Sequence, residues 1–129
     1  QVKAAPILKK SKLEIIPTGY ILIESGRATA VEKVSQTVPL DRSDIPKVVA
    51  TAQAGEMLGK KMIYLEAGSG AEKAVPIEMI ESVSQNIAVP LIVGGGIRSD
   101  LGIQQAFAAG ADMVVIGTAF ENDMDFFES

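Results

Sequence analysis

The sequence repeats one unit, in which a short apolar run is followed by a glycine-rich turn and then by apolar residues at helical spacing. The three clearest runs and their glycine loops are residues 62–66 with 68–70, 90–93 with 94–96, and 112–116 with 117. Parallel strands need a crossover, usually a helix, so this alternation predicts a parallel sheet with helices packed on it. The strand runs are continuously apolar, as expected when both faces are covered. The predicted fold class is α/β, either a doubly wound sheet or part of a (β/α)8 barrel.

Segments around these units carry further signals. Residues 13–24 are predicted to form a strand that Pro17 and Gly19 interrupt, and residues 28–35 a short helix. Three more helices are predicted near residues 41–58, 76–87 and 99–109. Their starts carry capping Asp or Ser side chains or a proline, and glycines follow the first and third. The middle helix has one apolar face, formed by Ile77, Ile80, Val83 and Ile87.

Composition limits the chemistry that is open to the chain. Its 129 residues match one ordinary domain, and a hydrophobic content of 47% is enough for a core. A net charge of −4 without a basic run argues against nucleic-acid binding. The absence of Cys and His excludes disulfides, thiolate or imidazole metal sites and Ser-His catalysis. With no signal peptide and no apolar run near the ~20 residues that span a bilayer, we expect a soluble cytoplasmic protein.

The glycine loops predict an anion site. Glycine lets the backbone approach a ligand and turn its N–H groups toward it, and a following helix N-terminus adds free donors. The loop at 94–96 and the later pair Gly117-Thr118 fit the phosphate site that barrels build after their last two strands. Arg98 and Ser99 can add contacts, or Arg98 can be a solvated residue at a helix start. One such glycine would more simply indicate a tight turn, whereas three convergent loops favour phosphate binding.

The strand at 62–66 carries the candidate chemistry. Side chains alternate along a strand, so Met62, Tyr64 and Glu66 share one face while Ile63 and Leu65 share the other. In a barrel the aliphatic face packs on the helices, and Glu66 then points inward at the carboxyl rim. A carboxylate there is a candidate general base if it lies within about 3 Å of a substrate hydroxyl. The alternative is a structural ion pair with a Lys or Arg at the rim.

Three motifs together resemble a known family. Residues 64–71 (YLEAGSGA), 93–98 (VGGGIR) and 16–20 (IPTGY) are similar to geranylgeranylglyceryl phosphate synthases, and most to their archaeal branch. The first motif occurs in few families, whereas the glycine-rich GGIR element also occurs in other phosphate-binding barrels. The resemblance runs from about residue 2 to residue 123. It implies that residues 1–129 form a single unit, the C-terminal half of a TIM-type barrel with strands five to eight.

The resemblance also implies a function. Members of that family are magnesium-dependent prenyltransferases that join geranylgeranyl diphosphate to the 3-hydroxyl of sn-glycerol 1-phosphate, forming the first ether bond of archaeal membrane lipids. By resemblance, Glu66 is the catalytic base. The implied substrate-binding residues are Tyr20, Tyr64, Leu65, Glu66, Ala67, Gly68, Ser69, Gly70, Gly94, Gly95, Gly96, Gly117 and Thr118. The magnesium ligand is an aspartate of the first strand, so no metal ligand is expected within this chain.

Two departures from the family are visible. Thr118 stands where the family usually has asparagine, which brings phosphate affinity into question. A TIM barrel takes about 250 residues, so this chain is expected to be a fragment, without the eighth helix and inactive without the missing half. Two alternatives stay open at this point. One is a related synthase that uses another prenyl length, and the other is a phosphate-binding half-barrel that has no activity alone or pairs as a homo-oligomer.

Overall fold

One four-stranded parallel sheet organises the chain. The computed structural model describes residues 2–29, 33, 37–123 and 125–126. The strands are β1 (Thr18–Leu22), β2 (Met62–Glu66), β3 (Leu91–Gly94) and β4 (Met113–Val115). The helices are α1 (Ala5–Lys10), α2 (Ile45–Met57), α3 (Ile77–Asn86), α4 (Asp100–Ala108) and α5 (Thr118–Asn122).

The order of the strands decides between the two predicted architectures. Neighbours in the sheet follow sequence order, β1-β2-β3-β4, and every pair is parallel. Right-handed crossovers in one direction put successive helices on the same face, as in a (β/α)8 barrel. A doubly wound sheet reverses its order at a switch point, and no reversal occurs among these strands. The described strands therefore have the order expected of half a TIM-type barrel.

Local capping signals explain the starts of two helices. The carboxylate of Asp44 accepts a hydrogen bond from the Lys47 N–H at 3.1 Å, and the Ser99 hydroxyl accepts one from the Gly102 N–H at 3.1 Å. These are the caps expected of α2 and α4. The predicted strand at 62–66 is confirmed as β2, whereas β3 and β4 start one residue later than predicted.

The first predicted strand is too long at its start. Residues 12–17 are exposed and lie outside any strand, and β1 begins at Thr18. The Pro17 carbonyl accepts the Lys61 N–H at 2.7 Å, and Thr18 is then paired with Met62, the first residue of β2. Because β2 begins at Met62, it has no described residues with which residues 13–16 could pair. The helix predicted at 28–35 lies mostly outside the described residues, and α5 is a short helix that the sequence did not predict.

The core lies between the outer face of the sheet and the helices. Ile63 and Leu65 of β2 are fully buried, as their shared face predicts, and they belong to one apolar cluster with α2 and α3. On α3 the buried residues are Met79, Ile80 and Val83. Ile77 was predicted to share that face but is 38% exposed, because it is the first residue of the helix, at the edge of the core. Among the described residues, no helix is long and apolar enough to cross a membrane.

Candidate active site

Glu66 ends β2 at the carboxyl edge of the sheet. Its register partners are Leu22 on β1 and Gly94 on β3, and its side chain is only 7% exposed. The Gly68 N–H donates a 2.6 Å hydrogen bond to Glu66 Oε1. A carboxylate that accepts a backbone N–H forms a strong, charge-assisted bond. The local chain thus fixes the orientation of this carboxylate.

A cavity of about 170 Å³ opens beside Glu66. The loops after β2, β3 and β4 converge on it, which is the arrangement that the glycine pattern predicts. Its lining residues are Tyr64, Glu66, Ser69, Gly70, Gly95, Gly96, Ile97, Arg98, Val115, Ile116, Gly117 and Thr118. Ser99 is absent from this lining, and its hydroxyl is occupied by the cap of α4.

Gly95 permits the close approach of the two loops that meet at Glu66. Its φ of 86° lies in the left-handed region, which L side chains rarely adopt. A Cβ added at Gly95 would lie 2.7 Å from Glu66 Oε1 and 2.6 Å from the Gly68 nitrogen. Both distances are too short for real contacts, so a side chain at this position would displace the carboxylate or its loop.

Free backbone donors surround the cavity. The Ala67 and Gly68 N–H groups are occupied, the first by the Gly94 carbonyl at 2.9 Å and the second by Glu66. In contrast, the N–H groups of Ser69, Gly70, Gly95 and Gly96 have no acceptor among the described residues. Donors that converge from successive loops of this kind form an anion-binding concavity.

Two tyrosines adjoin the carboxylate on the inner face of the sheet. Tyr20 and Tyr64 are register partners, and their rings contact edge to face with centroids 5.1 Å apart. Partial burial, together with the charge of Glu66 and hydrogen bonding to it, raises the pKa of Tyr20 to about 12. Burial is also the main reason that the pKa of Tyr64 is raised, and hydrogen bonding to Glu66 is the second. Both phenols keep their protons to a higher pH than an ordinary tyrosine and can donate hydrogen bonds at the site.

Some predicted site residues lie outside the cavity. Leu65 and Ala67 are fully buried in the apolar core, so the prediction that they bind substrate is limited to their backbone atoms. The strand alternation that directs Glu66 inward turns Leu65 toward the helices. Tyr20 contacts the lining residue Tyr64 instead of lining the cavity itself, and Gly94 packs behind that ring, where a Cβ would lie 2.5 Å from Tyr64 Oη.

Several residues around the cavity were not predicted from the sequence. Ile97, Val115 and Ile116 complete its lining, and their adjacency to the glycine loops was an available signal. Arg27 donates a hydrogen bond to the Gly70 carbonyl, across 43 positions of sequence. No local pattern marks that contact.

The residues present do not form a metal site. In the described ranges, no three or more Asp, Glu, His or Cys side chains come together to hold an ion. Glu66 is the single carboxylate among the lining residues of the cavity. Magnesium is held in proteins by carboxylates together with waters and substrate phosphates. We therefore assign no magnesium ligand within the described chain.

Comparison with known proteins identifies the family. A sequence model of the PcrB family matches residues 1–128. The chain belongs to the PcrB family. A relative from Flavobacterium johnsoniae named geranylgeranylglyceryl phosphate synthase is 67% identical over 129 residues, which cover 100% of this chain and 53% of the relative. One of the same name from Methanopyrus kandleri is 47% identical over 126 residues, or 97% of this chain and 52% of the relative.

A solved structure of the same kind matches the fold of this PcrB family chain. It is (S)-3-O-geranylgeranylglyceryl phosphate synthase from Thermoplasma acidophilum in complex with its substrate sn-glycerol-1-phosphate. The TM-score is 0.90 at 35% identity, and the match covers 98% of this chain and 51% of that one. The chain thus spans about half the length of the relatives that it matches and corresponds to their C-terminal half.

Proposed function

We propose that this chain is the glycerol-phosphate half of a prenyltransferase that joins geranylgeranyl diphosphate to sn-glycerol 1-phosphate. The observation that carries the proposal is the position of the Glu66 carboxylate at the edge of a cavity lined by free backbone N–H groups. The names of the relatives and the substrate of the Thermoplasma acidophilum enzyme agree with that chemistry.

The phosphate group of the substrate would occupy the glycine-walled cavity. Ser69, Gly70, Gly95 and Gly96 supply N–H donors, and the Thr118 hydroxyl can supply another. Arg98 also lines the cavity and adds positive charge. Threonine can donate one hydroxyl hydrogen bond but lacks the amide of the asparagine that the family resemblance leads one to expect.

Glu66 would act as the general base on the glycerol hydroxyl. The glycerol 3-oxygen attacks C1 of the prenyl chain and forms the ether C–O bond, while the bond from C1 to the diphosphate oxygen breaks and diphosphate leaves. The hydroxyl proton passes to the Glu66 carboxylate. The Gly68 N–H holds one carboxylate oxygen in place, and the Tyr64 and Tyr20 hydroxyls donate toward the same group. General-base catalysis requires hydrogen-bond reach between the base and the hydroxyl, and these contacts hold the Glu66 carboxylate at the cavity where that hydroxyl would bind.

The remaining half of such a protein would cover the inner face of the sheet. Tyr20 is 50% exposed there and Met113 is 42% exposed. At the two edges, β1 and β4 each have only one neighbouring strand among those described. Closing a barrel pairs both edges and removes the hazard of free strand edges. The prenyl diphosphate and any magnesium ion would bind with the help of that half.

The test replaces Glu66 with glutamine in a full-length protein that contains this chain. Glu66→Gln keeps the size of the side chain and an oxygen that can accept the Gly68 N–H, but it cannot accept a proton. We expect turnover to fall by at least about 10²-fold, the scale of general-base loss. The measurement is the rate of prenylglyceryl phosphate formation at saturating substrates.

Glu24→Gln is the matched control. Glu24 likewise accepts the N–H two residues ahead, from Gly26, but it follows β1 and does not line the cavity. Its replacement should leave turnover within about twofold, as expected for a surface change. Near-normal turnover of folded Glu66→Gln protein would remove Glu66 from the mechanism. Absence of prenyl transfer by the unmodified full-length protein would contradict the proposed function itself.

A further inference from the structure

Arginine side chains hold the loop between β2 and α3, residues 67–76, by its carbonyl groups. Arg27 Nη2 donates to the Gly70 carbonyl, and Arg98 Nη2 donates to the Ala71 carbonyl at 2.7 Å. Further along the loop, Arg42 Nη2 donates to the Ala74 carbonyl at 3.0 Å. Hydrogen bonds from a charged donor are about twice as strong as neutral ones. The loop is therefore fastened at three points by side chains that come from outside it.

Two of these points, Gly70 and Ala71, lie within the turn at residues 68–71 that contributes donors to the cavity. The Ala71 N–H donates to the Gly68 carbonyl at 3.0 Å, and Gly70, the third residue of this turn, has a φ of 68°, which favours glycine. The peptide group between Gly70 and Ala71 is thus fixed at both ends, its N–H by the turn and its carbonyl by Arg27. Arg98 fixes the carbonyl of the next peptide group.

This bonding leaves two N–H groups of the turn for a ligand. Those of Ser69 and Gly70 have no acceptor among the described residues, and both residues line the cavity. A donor that already points at its ligand costs little reorganisation when the ligand binds. These two N–H groups belong to the peptide groups just before the one that Arg27 holds, so the arginine contacts limit the movement of the turn that carries them.

We propose that Arg27 and Arg98 are positioning residues, which hold the Ser69-Gly70 turn so that its N–H groups face the phosphate before it binds. The inference deepens the proposed function and rests on it. Arg98 lines the cavity and can also contact the phosphate itself, whereas Arg27 is not among the lining residues. Arg27 therefore tests positioning without a direct contact.

Arg42 provides a matched control within the same loop. It is also an arginine that donates to a loop carbonyl, and its Nη1 makes a second bond to the Glu24 carbonyl at 3.1 Å. Its loop contact is at Ala74, three positions beyond Ala71 and outside the cavity lining. Loss of Arg42 should therefore lower stability without moving the turn.

The experiment compares Arg27→Met, Arg27→Lys and Arg42→Met in a full-length protein that contains this chain. The measurements are KM for sn-glycerol 1-phosphate, kcat, Tm, and the Kd of inorganic phosphate by calorimetry. We expect Arg27→Met to raise KM and the phosphate Kd by about tenfold, with kcat within about threefold, because binding is lost equally in ground and transition states. Arg27→Lys keeps a charged donor and should recover most of the affinity. Arg42→Met should lower Tm yet leave both constants within about twofold.

Two results would overturn the inference. The first is an unchanged phosphate Kd in Arg27→Met, and the second is an equal rise in Arg27→Met and Arg42→Met, which would indicate a general loss of stability. Should Arg27→Met fail to fold, Arg27→Gln takes its place, since its amide NH2 is a donor without the charge and reach of the guanidinium. If the protein did not catalyse prenyl transfer but its phosphate Kd still changed in the variants as expected, the positioning role would be supported and the proposed reaction contradicted. The two failures are therefore distinguishable.

Discussion

The outer face of the sheet is covered by helices and the inner face is partly exposed, although residues of the two faces alternate along the same strands. On the outer face, Ile63, Leu65 and Val93 are fully buried beneath the helices. On the inner face, Tyr20 and Met113 are largely exposed, and the tyrosines come into contact with each other and with Glu66. One strand such as β2 therefore contributes to both the core and the site.

In a barrel strand, the residues that stabilise the fold are different from the residues that bind ligands. Because side chains alternate with period two, every second residue of β2 can be chosen for packing and the others for ligands. The outer positions are aliphatic, and the inner positions toward the carboxyl end carry hydroxyl and carboxylate groups. Substitutions on the outer face should then change the free energy of unfolding, and substitutions at the rim should change binding and turnover.

The largest effect on stability is expected for Leu65→Ala. Leu65 is fully buried on the outer face, and truncation of such a leucine removes apolar contacts and leaves a cavity, which costs about 2–5 kcal/mol. Leu58→Ala is the same substitution at a position that is 81% exposed, directly after α2, and it should cost less than about 0.5 kcal/mol. Urea unfolding of the two variants in a full-length protein measures the difference. Equal losses would contradict the assignment of the outer face as the core.

Gly95→Ala should have the next largest effect, on binding and turnover. The added methyl would press on Glu66 Oε1 and on the Gly68 nitrogen, and displacing a catalytic group by about 1 Å can cost about 10²-fold in rate. Gly59→Ala is its matched control, because Gly59 has nearly the same φ, 87°, and open space around an added Cβ. Both variants should lose about 1–2 kcal/mol of stability from the left-handed backbone.

Only Gly95→Ala should also lose turnover and affinity for sn-glycerol 1-phosphate. Steady-state kinetics of both variants, with Tm as a check on folding, separates backbone strain from damage to the site. If Gly59→Ala lost turnover to the same degree, strain alone would explain the effect, and the rim would not be distinct from the rest of the loops.

Much of this arrangement could be predicted because its determinants are local. β2 follows from an apolar run bounded by turn residues, and the start of α2 follows from the capping side chain of Asp44. The convergence of the glycine loops follows from parallel topology, since the carboxyl ends of parallel strands lie at one edge of the sheet. The inward direction of Glu66 follows from alternation together with the aliphatic face of Ile63 and Leu65, which packs on the helices.

The features that were missed depend on contacts between distant parts of the chain. The bond from Arg27 to the Gly70 carbonyl joins segments that no periodic pattern relates. The late start of β1 depends on where β2 begins, and not on the apolar residues Leu13, Ile15 and Ile16 that precede it. The exposure of Ile77 likewise reflects its position at the edge of the core and not its hydrophobicity. Local sequence therefore specified the elements and the site face, while tertiary partners specified how the site is held.

The smallest expected effect is on the titration of Tyr20, and it tests whether the inner face is coupled to Glu66. The pKa of Tyr20 is raised to about 12, first by partial burial and then by the Glu66 carboxylate. Since the unfolded chain releases this proton near pH 10, the stabilisation is complete below pH 10 and is lost as pH rises toward 12. Phenolate absorbance, taken as the difference between the unmodified protein and Tyr20→Phe, follows the titration. Glu66→Gln should lower the pKa of Tyr20 without restoring its ordinary value, because burial remains, whereas Glu24→Gln should leave it unchanged. A titration near pH 10 in the unmodified protein would show that neither burial nor Glu66 raises the pKa of Tyr20, and it would contradict the coupling of Tyr20 to Glu66.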